Sequence, residues 1–139
     1  MNRKKLFNRL ASLVIFISLI NFLAIKFHWY YSIWWFDMPM HFLGGMWVGL
    51  FHIWYLIHRE LSAKEIGQVI LGVFIVAFAW EAFEFILNAQ TVKNAFDLRD
   101  TVSDLFFGLS GGFTAIFYVF LRIMNIPKST LQFYNAEKN

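Results

Sequence analysis

The chain contains no cysteine. Disulfide frameworks, thiolate metal sites and thiol nucleophiles are therefore excluded. Charge is scarce: 15% of the 139 residues are charged, against roughly 25% in a typical soluble domain. The only two prolines, Pro39 and Pro127, fall in the first turn of one apolar segment and just past the end of another. No H-E-x-x-H occurs, which removes zincin-type proteolysis. The E-x-x-H signature of ferritin-like di-iron bundles is missing as well. Ser103 and Ser110 lie outside any nucleophile-elbow pattern, so a serine hydrolase is not indicated. What is abundant is apolar surface: 59% of residues are hydrophobic, with 18 Phe and 6 Trp. This is the composition of a membrane protein.

Four apolar stretches, about residues 6–25, 38–57, 66–88 and 102–124, each approach the ~20 residues a helix needs to cross ~30 Å of hydrocarbon. They predict an all-α fold: a polytopic membrane protein with four transmembrane helices in a bundle, forming a single domain over residues 1–139. Met1 to Lys5 followed by apolar residues resembles the start of a signal peptide. The apolar run is long, however, and no small-residue cleavage motif precedes Lys26, so it reads as a retained first helix. Sorting the basic residues by side gives Arg3, Lys4, Lys5, Arg9, Arg59, Lys64, Arg122, Lys128 and Lys138 against Lys26, Lys93 and Arg99. The positive-inside tendency then places both termini, and a polar tail at 128–139, in the cytoplasm. The basic balance reports orientation and makes no case for nucleic acid.

Between the first two segments, residues 28–36 form an aromatic cluster suited to a membrane–water interface. It is either an aromatic belt or the wall of a lipid-facing pocket.

Six of the nine acidic residues cluster at one depth. Asp37 and His41 open the second segment, Glu81 and Glu84 close the third, and Asp97, Asp100 and Asp104 lead into the fourth. At ~1.5 Å per residue, His41, Glu81, Glu84 and Asp104 all lie about 6–10 Å below the outer helix ends. Spacings of three, four and seven residues put each set on one stripe of its helix. Gly44, Gly45 and Gly49 follow on the second helix, and Gly108, Gly111 and Gly112 on the fourth, so both carry G-x-x-x-G pairs that allow backbones to approach. The Gly45/Gly49 and Gly108/Gly112 faces also offer a surface for homo-oligomers. Asp37-x3-His41-x3-Gly45-x3-Gly49 parallels Asp100-x3-Asp104-x3-Gly108-x3-Gly112, the pattern a duplicated hairpin would leave.

Ionised acids at close quarters repel strongly in a low-dielectric setting. Either some stay protonated or a bound cation takes their charge. Carboxylates with one imidazole and no thiolate suit Mg, Mn, Zn or Fe ions. The candidate ligands are His41, Glu81, Glu84 and Asp104, with Asp37 and Asp100. Asp37 and Asp100 also fit as helix N-caps, and Asp97 as a solvated loop residue or a partner of Arg99. Glu81, Glu84, His41 and Asp104 lie a turn or more inside their helices, where capping does not explain them. Their plain alternative is an inert polar network that specifies packing. His28, His52 and His58 read as interfacial or packing residues.

Asp37-Met-Pro-Met-His41-Phe42 with Gly44 and Gly45, Trp80-Glu81-Ala-Phe-Glu84-Phe85, and Asp100-Thr-Val-Ser-Asp104 followed by Gly108 and Gly112 resemble the YjdF-type family of small bacterial inner-membrane proteins. More distantly they resemble the VanZ-like proteins. Asp104 stands where VanZ-like sequences have Asn, and Lys93 is the nearest stand-in for their loop Arg. The resemblance implies a helical protein of the bacterial cytoplasmic (inner) membrane and supplies no activity. Three functions stay open: a metal-dependent hydrolase of a lipid or cell-envelope precursor, with Glu81, Glu84 and Asp104 as candidate catalytic residues; a proton or cation carrier; and a non-catalytic structural protein. Membrane lipids are the expected partners.

Overall fold

The computed structural model describes residues 3–56, 62–91 and 97–124. The 128–139 tail, Pro127, His58, Arg59 and residues 92–96 of the expected external loop at 88–97, Lys93 among them, lie outside the described residues. The described residues form only helices: α1 (Arg3–Lys26), the short α2 (Trp29–Ser32), α3 (Asp37–Leu56), α4 (Ala63–Thr91) and α5 (Leu98–Met124).

Three helical stretches are both long and apolar enough to cross a membrane: Arg3–Lys26, Ala63–Leu87 and Leu98–Leu121. The expected second span, α3, is long enough at about 30 Å, but Asp37, Pro39, His41, His52 and its glycines dilute its apolar character. Its position supplies the physical reason. α3 packs against α1, α4 and α5, and only Phe51 and Tyr55 along it are exposed. A helix shielded by its neighbours has little surface to match to lipid. By contrast, α4 turns Leu71, Phe74, Ile75, Phe78 and Phe83 outward.

The tightest seam joins α3 to α5. A Cβ on Gly45 would overlap the Gly108 backbone, and one on Gly111 would overlap the Phe42 carbonyl. One turn along, a Cβ on Gly49 would sit 3.2 Å from the Gly112 Cα. Gly45 meets Gly108 and Gly49 meets Gly112, so the two helices run parallel and in step. All four glycines are buried within one chain. The close approach they permit is used internally, between α3 and α5. At one end, Leu6, Leu10, Leu50, Ile53, Val69, Ala115 and Val119 form a common core. Arg3 lies over Trp54 and Arg9 over Tyr118 at that end, and Arg9 hydrogen-bonds the Tyr118 hydroxyl.

Helix starts differ in detail from expectation. α5 begins before Asp100, and Asp97 is its cap, accepting the Arg99 N–H at 2.9 Å on Oδ1. Asp100 is therefore a first-turn residue. Ser62 and Glu65 form a reciprocal capping box on α4, with the Ser62 N–H donating to Glu65 Oε2 at 2.7 Å and the Glu65 N–H to Ser62 Oγ at 3.4 Å. The S-x-x-E spacing carried that signal.

Candidate metal centre

The acidic end of the bundle is built around His41. Its Nε2 lies 3.5 Å from Asp37 Oδ1, one turn back on α3, and 3.8 Å from Asp104 Oδ2 on α5. Its Nδ1 lies 4.0 Å from Glu81 Oε1 on α4. The imidazole can reach both neighbours because the glycine seam one turn below holds α3 against α5. Side-chain exposure is 10% for His41, 9% for Glu81 and 2% for Asp104. Glu81 Oε1 and Asp104 Oδ2 are both buried and form no hydrogen bond. Leaving such an oxygen unsatisfied costs about 1–3 kcal/mol, and more when it is charged. Two of them on opposite sides of one ring are the strongest mark of a missing partner in the molecule.

Among the described residues, two overlapping groups have the spacing to hold a metal ion: Asp37, His41 and Asp104; and His41, Glu81 and Glu84. Within each, one ligand atom per residue lies within 4.8 Å of the others. Metal–ligand bonds of ~2.0–2.2 Å place ligand atoms up to about 4.4 Å apart, so small side-chain rotations suffice to close either set. Five of the six ligands expected around a single ion thus fall into two sets that share His41. Asp100 belongs to neither and is exposed, one turn nearer the helix end than Asp104. Asp97 is an exposed cap.

Supporting contacts include several that the sequence reading passed over. The Trp80 indole N–H donates to Glu84 Oε1 at 2.9 Å, an i,i+4 contact legible from spacing. The Tyr30 hydroxyl donates to Asn21 Oδ1 at 2.7 Å, and nothing in the local sequence links those two residues. Burial first, then the charges of Asp37 and Glu84, push the Tyr30 phenol up to about 12, so it remains a donor at neutral pH. His52 is a packing residue: it bonds the Val48 carbonyl through Nδ1 at 3.0 Å, and its ring fills the space beside Gly72.

Beside the cluster lies a cavity of about 590 Å³ between α1, α3 and α4. Asp37, His41 and Glu84 line it together with Tyr30 and Asn21, whereas Glu81 and Asp104 are set behind His41 and do not. The aromatic segment is divided in the same way. Tyr30 forms part of the cavity wall, Phe36 is buried against Trp29 and Tyr30, and Tyr31 and Trp34 are 90% and 82% exposed.

An all-helical bundle with apolar spans and an acidic and histidine cluster at one end is an integral membrane protein. The chain belongs to the family described as Predicted membrane protein (DUF2238), whose model matches residues 1–125. No curated protein and no solved structure matches it significantly.

Proposed function

We propose that the protein is a metal-dependent hydrolase of the bacterial cytoplasmic membrane that cleaves an ester or phosphoester bond in a lipid or cell-envelope precursor. The observation that carries this reading is the pair of buried, unpartnered carboxylate oxygens flanking His41, beside a cavity lined by His41, Asp37 and Glu84. In this scheme α3 is a fourth span and both termini are cytoplasmic. The nine-to-three distribution of basic residues supports that topology, as does the concentration of Arg3 and Arg9 at the end opposite the acidic cluster. The pocket then faces outward.

Asp37, Asp104 and His41 Nε2 are the ligand set we favour for one divalent ion, Mg, Mn, Zn or Fe. Glu81 then accepts the His41 Nδ1–H, fixing the ring as a metal-bound histidine requires. Both orphaned oxygens are satisfied by this one assignment. When bound, the ion lowers the pKa of a coordinated water and polarises the scissile group. Glu84 lines the cavity without belonging to that ligand set, and Trp80 holds it in place. It serves as general base, taking a proton from water as the water oxygen bonds to the ester carbon or phosphorus. The C–O or P–O bond to the leaving group breaks, and Glu84 returns the proton to the departing oxygen. Closure of the cluster by the Gly45–Gly108 contact disfavours a conduit across the bilayer, and hence the carrier reading.

In proteoliposomes given bacterial lipid extract, release of fatty acid or phosphate tests this scheme. Glu84→Gln is expected to abolish turnover while retaining metal, and Asp104→Asn to lose both. Turnover that survives Glu84→Gln removes Glu84 as the base, and an unaltered protein that releases neither product removes the hydrolytic assignment.

A further inference from the structure

The cavity beside the cluster has the shape of a slot for a lipid chain. Its walls run from Val14 to Ile25 on α1, Asp37 to Val48 on α3 and Val73 to Glu84 on α4. Each stretch rises about 16 Å at ~1.5 Å per residue. That is about half of the ~30 Å hydrocarbon core, the depth of one leaflet.

Polarity is graded along this length. Asp37, His41, Glu84 and Tyr30 stand at one end, and Val14, Ile17, Val48 and Val73 at the other. Trp47 lies deep in the slot, but its indole N–H is already satisfied by the Leu10 carbonyl at 3.0 Å. Ser18 is the one hydroxyl side chain lining the slot near that end, fewer than the two to four polar partners a buried water needs.

The slot has a side entrance. α1 packs on α3 and joins the common core through Leu6 and Leu10. Beyond that core α1 and α4 form no substantial packed interface among the described residues, so the space between them opens toward the bilayer. The volume of about 590 Å³ falls within the ~300–1,000 Å³ of small-molecule sites. Gly44 completes the wall: a Cβ there would meet nothing within 4 Å, so its missing side chain leaves the slot clear.

Resting on the hydrolase reading, we propose that the substrate is a membrane phospholipid taken sideways from the leaflet that holds the acidic cluster. One aliphatic chain lies in the α1–α3–α4 slot, and the head is presented to Asp37, His41 and Glu84. Charge complementarity fits a phosphate-bearing head to a site whose acids hold a divalent cation. The apolar depth fits a chain and excludes a small water-soluble ester as the natural ligand.

The test purifies the full chain in detergent from bacterial membranes and measures phospholipid and divalent metal per chain by mass spectrometry. Three proteins are compared: the unaltered chain, Gly44→Phe, which fills the slot, and Gly67→Phe, which adds a ring at an exposed position where a Cβ likewise meets nothing within 4 Å. The unaltered chain and Gly67→Phe are expected to retain one phospholipid each, and Gly44→Phe about tenfold less, with metal unchanged in all three. Val76→Trp, on the opposite wall, repeats the block should Gly44→Phe fail to fold. Phospholipid retention that is equal in the blocked and unblocked proteins overturns the slot, as does loss of the lipid from Gly67→Phe as well. Retained phospholipid with no metal in any protein supports the slot and sinks the metal-dependent hydrolase.

Discussion

Gly44 and Gly45 are adjacent on α3, about 100° apart around its axis, and meet different surroundings. At Gly45 an added methyl would run into the Gly108 backbone, whereas at Gly44 it would meet nothing within 4 Å. The Gly45 side of α3 is closed against α5, and the Gly44 side borders the open slot between α1 and α4, with Gly45 and Gly108 at the edge of the slot. The two faces perform linked tasks. The closed seam fixes Asp104 against His41, and the open side gives that assembly access to the bilayer. A sequence pattern of small residues thus covers two opposite physical requirements, contact and vacancy, and only the position of the neighbouring helix tells them apart.

The sharpest way to break this contrast is to substitute each glycine. Gly45→Val is expected to force α3 from α5 and cost about 3 kcal/mol or more, while Gly44→Ala stays within about 0.5 kcal/mol. Thermal unfolding in detergent reads both, and equal losses would show that the two faces are not distinct. A smaller effect tests the division of the cluster around the imidazole. If Glu81 only orients His41, Glu81→Gln weakens metal binding about 10–100-fold without eliminating it, as measured by calorimetric titration. Complete loss would move the ion to the Nδ1 side of the ring, with Glu81 and Glu84. The smallest effect belongs to the rim of the slot. Tyr30→Phe removes one hydrogen bond to Asn21, worth about 1 kcal/mol. In the unaltered chain the Tyr30 phenol, raised to about 12 from the usual ~10, is held neutral. Stability that depends on it is present below pH ~10 and lost as pH rises toward 12. The alkaline limb of the melting curve should therefore flatten in Tyr30→Phe.

Much of the architecture was legible because helical periodicity is local. The apolar runs, the i,i+4 stripe of Asp37 and His41 and the G-x-x-x-G pairs follow from spacing alone, and with them the meeting of helices at His41, Glu81 and Asp104. Cap assignments were less secure: a one-turn shift in the start of α5 transfers the capping role from Asp100 to Asp97. Composition could not reveal that α3 is central, which is why its polar residues escape lipid. The slot was hidden for a related reason. It depends on where α1 leaves the common core, and that divergence has no signature in the apolar run of α1 itself. Nor did spacing distinguish one six-ligand site from two sets sharing an imidazole, because that depends on which ring nitrogen faces which helix.

The central claim, that His41 is the shared ligand of a divalent metal site, is tested most directly by metal stoichiometry. The purified protein is loaded with Zn or Mn ions, dialysed free of excess and analysed for metal per chain, alongside His41→Ala and Asp100→Asn. One ion per chain is expected in the unaltered protein and in Asp100→Asn, and none in His41→Ala. An unaltered protein without stoichiometric metal, or a His41→Ala protein that keeps it, would contradict the account.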